Sequence, residues 1–260
     1  MALFTDGQIT TIDNLRQYES SVLDVANTEG IDLEAKLQLA NREIGVQLTA
    51  FLLQERPNAT LVRELQCPDV ARNLSRVLVT EALAQWHTLH SLTLIYRDAY
   101  NSQLNDRYLG KWQEYEKLGN RAMALCLEVG LGIVSDPVAQ PALPNCGTAT
   151  GGSQLATTYY IQIAWQNARG SIGALSDLLP VNLNSGTVLT VSPVNPPTNA
   201  TGWFIYAGLT DSSVLCQNVS PLPLAATWYS PINGLSAGVA SPAAQKPDFF
   251  VKQQRRLPRG

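Results

Sequence analysis

The chain has 260 residues, 45% hydrophobic and 15% charged, which is enough for two ordinary domains with separate cores. Its charge is uneven, with a net −6 over residues 1–136, −1 over 137–244 and +4 over 245–260. The acidic first part argues against a nucleic-acid stacking platform, and the asymmetry indicates a partner. We see no secretory signal and no apolar run near the ~18 to 20 residues that span a bilayer, and so predict no membrane contact.

Four amphipathic helices are predicted in the first half of the chain. The first spans about 10–27, and the second spans 32–56, where Pro57 forbids continuation. The third spans 67–96 with an interruption near Ser75, and the fourth spans about 106–129. On the fourth helix, a stripe of aromatic and apolar residues recurs at helical spacing: Tyr108, Trp112, Tyr115, Leu118, Ala122 and Leu125. Long helices with short connections favour an antiparallel bundle.

Strands are predicted in the second half of the chain. The segment TTYYIQIAW, residues 157–165, alternates between an apolar face and a mixed face, which indicates a half-buried strand. Further strands are expected at 187–191, 203–207 and 215–219, separated by loops that contain Gly, Pro and Asn. Short strands at this spacing predict a small β-sandwich.

The sequence therefore predicts a multidomain α+β protein. The helical bundle covers residues 1–135, and a Pro/Gly-rich linker covers 136–152. The β-sandwich follows at 153–244, and a basic C-terminal tail covers 245–260. The five cations of that tail repel one another and cannot form a core, so we expect the tail to be mobile when free.

A search for catalytic chemistry finds little. His87 and His90 lie on one helix face, but no Cys or acidic ligand joins them at a recognised spacing, and a packing or surface role is preferred. Gly130-Leu131-Gly132 follows a helix and so is not a dinucleotide turn, and neither a G-x-S-x-G motif nor a P-loop is present. The four cysteines are widely spaced and are expected to be reduced thiols. We predict no enzyme activity, cofactor or metal.

Two features suggest contacts with other chains. Asp106 can cap the fourth helix while Arg107 pairs with a carboxylate, or Arg107 can lie at a subunit interface, where its planar fork suits bidentate pairing. As a hypothesis we assign Arg107, Tyr108 and Trp112 to such an interface; the alternative for the aromatic residues is core packing.

The quoted residues resemble a known family. The run WHTLHSLTLIYRDAYNSQLNDRYLGKWQEY, followed by GLGIVSDPVAQPALP, resembles the helical part of head-to-tail connector proteins, also called adaptor or neck proteins, of tailed bacteriophages. The segments TYYIQIAWQNARGSIGALS, GWFIYAG and QNVSPLPLAATWYSP are similar to fibronectin-III (Fn3) or Ig-like modules of phage structural proteins. The resemblance covers about residues 8–145 and 155–260.

The resemblance implies a structural virion protein at the head–tail junction, assembled in the host cytoplasm. Its copies would form a ring, usually of about twelve, beneath the portal protein, extend the DNA channel and carry tail or neck proteins. An acidic first domain suits a channel through which double-stranded DNA passes without specific binding.

The resemblance gives the C-terminal tail a partner, the portal protein. Its apolar residues suit addition to an exposed sheet edge, and its cations suit pairing with partner carboxylates. The portal-docking hypothesis comprises Phe249, Phe250, Val251, Lys252, Arg255, Arg256 and Arg259. An alternative from another class is a carbohydrate- or surface-binding module on a helical stalk of a virion. Its sugar platforms would be Trp165, Trp203, Trp228 and Tyr229, for which core packing is the simpler role.

Overall fold

The structure, a computed structural model, describes residues 1–54, 73–103, 106–240 and 243–253. The fold class is α+β, with helices first and antiparallel sheets after them. The chain forms two compact units. Within the described residues, the helical unit is Gly7–Ser135 together with residues 247–253, and the β unit is Met1–Asp6 together with Asp136–Lys246.

The first predicted helix is two helices in the structure. Helix α1 is Ile12–Tyr18, with Thr11 as N-cap and Asn14 completing a capping box, and α2 is Val22–Glu29. Between them the backbone of Glu19 is extended, which breaks the helical hydrogen bonding. The prediction of one continuous helix was therefore wrong. The apolar periodicity of the sequence continues across the break because α1 and α2 each bury an apolar face.

The longer helices follow. Helix α3 is Leu33–Gln54, and the Asp32 carboxylate accepts a hydrogen bond from Ala35 N at 3.1 Å, as expected of an N-cap. Helix α4 is Glu81–Gln103, and α5 is Leu109–Val129. These correspond to the second, third and fourth predicted helices.

The third predicted helix starts later than the sequence indicated. Its first residues, 67–72, lie outside the described part of the chain. Leu74–Arg76 form a single 3₁₀ turn, and Val77 and Leu78 are extended. Leu78 N donates to Gly132 O at 2.9 Å, and Val77 bridges to Ile133. The apolar residues of this stretch pair with a strand, which their helical spacing did not reveal.

Nine short strands are present in the described residues. In chain order they are β1 (Leu131–Ile133), β2 (Asn145–Thr150), β3 (Thr157–Asn167), β4 (Leu179–Leu183), β5 (Thr187–Ser192), β6 (Ala200–Gly208), β7 (Leu215–Cys216), β8 (Trp228–Tyr229) and β9 (Phe249–Val251).

The β unit contains two antiparallel sheets. One has the strand order β4-β3-β6-β7, and the other has the order β2-β5-β8. Side chains from both sheets form one hydrophobic cluster, with Ile163 and Trp165 from β3, Ile205 from β6, and Leu189 and Val191 from β5. The predicted strands at 157–165, 187–191 and 203–207 are confirmed, and the one at 215–219 shortens to β7.

The segment interpreted as a linker, residues 136–152, takes part in the β unit. Strand β2 pairs with β5 along its whole length, and Val138 is fully buried in the hydrophobic cluster. Asp136 is bound by the side-chain amides of Asn167 and Asn199, at 3.0 and 2.7 Å. Its prolines and glycines concealed these contacts, because they are equally frequent in linkers and at sheet edges.

Among the described helices, none is both long enough and apolar enough to cross a membrane.

Candidate assembly surfaces

Helix α4 is the centre of the helical unit. Residues 86–89 and 91–96 are buried without interruption, so the helix is covered on all sides rather than along one stripe. Its buried hydroxyls are satisfied within the helix: Thr88, Ser91 and Thr93 donate to the carbonyls four residues earlier at 2.8 to 2.9 Å. Because α4 is central, the faces of the neighbouring helices that point away from α4 are in contact with solvent.

Helices α3 and α5 pack against α4 and make few contacts with each other. On the α3 side, Lys36 pairs with Asp98 and His90 pairs with Glu43, both at 2.7 Å. The residue numbers rise on one helix as they fall on the other, so α3 and α4 are antiparallel.

On the α5 side, aromatic rings stack in the same antiparallel sense. Tyr96 stacks on Tyr115 with centroids 5.4 Å apart, and Tyr100 stacks on Trp112 with centroids 5.5 Å apart. Gly119 allows close approach, since a Cβ there would lie 3.8 Å from the His90 backbone nitrogen. Helices α3 and α5 are therefore parallel to each other.

The outer face of α3 carries exposed apolar residues every seven positions. Leu39, Val46 and Leu53 are 36%, 71% and 60% exposed. Seven-residue spacing places them in one line along the helix, the pattern of a helix–helix seam. We call Leu39, Arg42, Val46 and Leu53 the α3 stripe; Arg42 lies between the first two apolar residues and is also exposed.

The outer face of α5 has a matching line. Leu118 and Leu125 lie seven residues apart, and both are exposed, as is Glu114. We call Glu114, Leu118 and Leu125 the α5 stripe. The sequence analysis placed the two leucines on the same face as Tyr115. In the structure Tyr115 is buried together with Gly119, Ala122 and Cys126, and the two leucines lie outside this buried face. Glycine at 119 concealed the true core face, because it has no apolar side chain to count.

The residues assigned to a subunit interface from sequence have mixed positions. Tyr108 is buried in its own unit and packs near Tyr96, with ring centroids 6.2 Å apart. Trp112 is half-buried and stacked on Tyr100, and Arg107 is exposed with its guanidinium 5.5 Å from the Tyr108 ring centroid. Tyr108 is thus a core residue, and the two stripes offer more exposed apolar surface than this trio.

A polar cluster joins the start of the unit to α5. The Glu19 carboxylate accepts hydrogen bonds from Lys111 Nζ at 2.7 Å, Ser21 Oγ at 2.7 Å and Tyr115 Oη at 2.9 Å. Burial by itself raises the pKa of Glu19, but these three donors outweigh it and lower the pKa to about 2. The cluster holds Glu19 in the extended conformation that separates α1 from α2.

His87 lies beside a cavity of about 240 Å³ within the helical unit. Its Nδ1 is 2.7 Å from Thr10 Oγ1, while its Nε2 and the Oδ1 of Asn41 have no hydrogen-bond partner among the described residues. Burial lowers the pKa of His87, the polar backbone of Leu37 opposes this and the neighbouring His90 adds to it, and together they lower the pKa to about 4. The ring is neutral at pH 7. No cluster of three or more metal-binding side chains occurs in the described parts of the chain.

Part of the predicted basic tail is an ordered strand. Strand β9 pairs with β1 in the register Leu131 with Val251, Gly132 with Phe250 and Ile133 with Phe249. Asp248 Oδ2 accepts from Ser135 N at 2.7 Å, and Gln253 N donates to Leu127 O at 3.0 Å. The expectation of a mobile tail therefore does not hold for residues 245–253. The charge count missed the pairing, because it gives no weight to the apolar residues of β9.

Four of the seven residues assigned to portal docking lie in the described part of the chain, which ends at Gln253. Phe250 is 44% exposed, Lys252 is exposed, and Phe249 and Val251 are half-buried. Strand β9 pairs with β1 along one edge, and no strand pairs with its other edge within the described residues. Arg255, Arg256 and Arg259 lie outside the described residues.

Glycines make room for β9. A Cβ at Gly132 would lie 2.8 Å from Pro247 Cγ, and one at Gly130 would lie 2.8 Å from Lys252 Cγ, where φ is also +107°. The Gly-Leu-Gly motif that the sequence showed at the end of α5 thus admits the C-terminal strand, in addition to ending the helix.

The aromatic residues of the sugar-platform alternative are mostly core. Trp165 and Trp203 face each other in the β3–β6 register and are fully buried, and Trp203 Nε1 donates to Pro223 O at 3.0 Å. Trp228 packs against the same core, and Tyr229 is 59% exposed. A single exposed tyrosine remains from the four proposed platforms.

No protein-family model, no curated protein and no solved structure matches this chain.

Proposed function

We propose that this chain is a structural virion protein of a tailed bacteriophage, a ring-forming head-to-tail adaptor that docks under the portal protein. In this function it extends the DNA channel and provides a platform for tail or neck proteins. The observation that carries the proposal is the pair of exposed apolar stripes, on two helices that flank the buried helix α4.

Two different exposed apolar surfaces on one subunit favour assembly into a ring. A two-fold dimer uses one self-complementary surface on both copies, whereas a cyclic ring joins one surface of each copy to a different surface of the next. The α3 and α5 stripes are different surfaces, and α4 separates their helices. A line of exposed apolar residues on one helix face is a candidate surface for contact with another protein chain.

The charge distribution agrees with a channel wall. Residues 1–136, the segment that contains the five described helices, carry a net charge of −6, and acidic side chains disfavour binding of a phosphate backbone. DNA could then pass through the ring without being held. The basic C-terminal residues would contact the portal instead of the DNA.

The proposal includes a finer fold, an antiparallel helical bundle followed by an Fn3/Ig-like β-sandwich and the basic tail. The strand order β4-β3-β6-β7 corresponds to the C′-C-F-G order of Ig-like sheets, and the pairing of β2 with β5 corresponds to the B–E pair. Strand β8 departs from that plan, since it lies beside β5 yet follows β7 in the chain. Such a module implies no activity on its own.

Portal docking is assigned to the C-terminal residues. The open edge of β9 offers main-chain hydrogen bonds to a strand of the portal protein, and exposed Phe250 offers an aromatic anchor. Many weak contacts repeated around a ring bind strongly through avidity.

The experiment is a pull-down on the portal protein of the same phage. The full chain should be retained at micromolar concentration, and Val46→Asp should weaken retention at least tenfold, because ring avidity is lost when the stripe is interrupted. Gln47→Asp is the matched control, since it adds the same charge at the neighbouring exposed position of α3. Removing residues from Gln254 onward tests the tail without touching β9.

Failure of the portal to retain the full chain would contradict the adaptor function. Equal retention of Val46→Asp and Gln47→Asp would separate portal binding from ring formation, and would remove the stripe from the argument.

A further inference from the structure

We infer that the α3 stripe of one copy packs against the α5 stripe of the next copy, with the two helices parallel and Arg42 opposite Glu114. This inference rests on the proposed function only for the statement that the copies close into a ring. The contact itself is argued from the two helices.

The direction of the helices comes first. Helices α3 and α5 are both antiparallel to α4, as the two ion pairs between α3 and α4 and the two ring stacks between α4 and α5 show, and hence run in the same direction. Rotation about an axis that runs along the helices leaves their direction unchanged. Neighbouring copies related by such a rotation therefore bring α3 and α5 together as a parallel pair.

The register follows from the spacing of the stripes. With Val46 opposite Leu118, the next apolar residue of α3, Leu53, falls opposite Leu125. Both pairs are exposed in the single chain and would be covered together. Equal seven-residue intervals on two parallel helices let both apolar pairs lie along one line of contact, since seven residues is the repeat of packed parallel helices.

Charge complementarity selects this register. One turn before Val46 lies Arg42, and one turn before Leu118 lies Glu114, so the same alignment places opposite charges side by side at the edge of the apolar contact. Ion pairs that flank an apolar helix seam set partner choice and orientation more than raw affinity. The contact thus consists of two apolar pairs, Val46–Leu118 and Leu53–Leu125, and of the Arg42–Glu114 ion pair. The ion pair fixes the relative direction of the two helices.

Charge reversal tests the pairing. Arg42→Glu alone and Glu114→Arg alone should each weaken self-association roughly fivefold or more, measured by sedimentation of the chain alone and on the portal. The double variant should recover most of the original association. If Glu128→Arg rescues Arg42→Glu and Glu114→Arg does not, the helices pair in the antiparallel direction and the inference is overturned.

Cysteine cross-linking tests the contact directly. A mixture of Val46→Cys and Leu118→Cys chains should form disulfide-linked dimers under mild oxidation, and a chain with both changes should form a ladder of longer products. The unaltered chain is the control for cross-links through the four native cysteines. Burial raises the pKa of Cys126 and Cys146 to about 11, which leaves these two poorly reactive. Dimers of Val46→Cys with itself would show a two-fold contact and overturn the inference.

The outcomes separate this inference from the proposed function. Rings on the portal without the Val46–Leu118 cross-link would contradict the seam and leave the adaptor function standing. Cross-linked ladders without any portal binding would support the seam and contradict the adaptor function. A chain that never self-associates, either alone or on the portal, would overturn both.

Discussion

The hydroxyl of Tyr115 donates a hydrogen bond to the carboxylate of Glu19 at 2.9 Å, which joins the middle of α5 to the break between α1 and α2. Lys111 adds an ion pair to the same carboxylate, whose side chain is only 11% exposed. A contact between residues this far apart in the chain fixes the first two helices on the antiparallel pair α4 and α5.

Glu19→Gln should destabilise the helical unit by about 2 to 3 kcal/mol, because it removes a buried charge from three donors. The pKa of Glu19 falls from 4.5 to about 2 on folding, so its stabilisation is complete above pH 4.5 and is lost as the pH falls towards 2. Thermal melts of wild type and variant should therefore converge in this acidic window. Asp13→Asn is the control, since that side chain is 81% exposed and its loss should change little.

The lowered pKa of His87 predicts a second pH range, above that of Glu19, over which the stability of the helical unit changes. The pKa of His87 falls from 6.5 to about 4 on folding, so the unfolded chain takes up the proton first. Stability should be full above pH 6.5 and decrease by about 3 kcal/mol as the pH falls to 4. His87→Gln should flatten this slope in denaturant titrations, whatever its effect at pH 7. An unchanged slope in His87→Gln, or the same flattening in His90→Gln, would contradict the assignment.

Gly132→Ala should displace the C-terminal strand. The added Cβ would lie 2.8 Å from Pro247 Cγ and 3.3 Å from Thr80 Cγ2, which is too close for both neighbours to stay in place. We expect faster hydrogen exchange in β9 and faster tryptic cleavage after Lys252, at a cost of about 1 to 3 kcal/mol. Gly110→Ala is the control, because nothing lies within 4 Å of a Cβ there. Equal cleavage rates in the two variants would argue against tight packing of β9.

Trp165→Ala should unfold the β unit. The side chain is fully buried opposite Trp203, and its removal leaves a large cavity that costs about 3 to 5 kcal/mol. Circular dichroism should show loss of the sheet signal while the helical signal persists. Tyr229→Ala is the control, because that side chain is exposed. A Trp165→Ala protein that melts like wild type would return this residue to the ligand-platform alternative.

The sequence predicted the parts of the fold that rest on strong periodicity. Helix α3 and strand β3 were found because their apolar residues recur at the periods of a helix and of a strand over many residues. Helix α4 was predicted as the later part of an amphipathic helix over residues 67–96. Its complete burial follows from the packing of four other helices around it and is not visible in its own pattern.

The missed elements are short or depend on distant residues. Strands β1 and β9 have three residues each and are stabilised by pairing with each other, although they are far apart in the sequence. Strand β4 contains Pro180, which is tolerated because this strand lies at a sheet edge. Pairing of this kind depends on tertiary contacts, which local propensity does not encode.

The assembly surfaces were only partly visible in the sequence. Arg107 was singled out for its chemistry, whereas Val46 and Leu53 were not noticed, because the core face of α3 accounted for the apolar count. Their seven-residue spacing was the available signal. It could be recognised only once the structure showed that this face of α3 is exposed.

The central claim is that copies of this chain close into a ring on a portal. Its most direct test is electron microscopy of the chain bound to the portal protein, with symmetry analysis of the complex. The account predicts a closed ring of about twelve copies whose neighbours touch through α3 and α5. A stable dimer with two-fold symmetry, or particles of the portal that carry no copies of the chain, would contradict it.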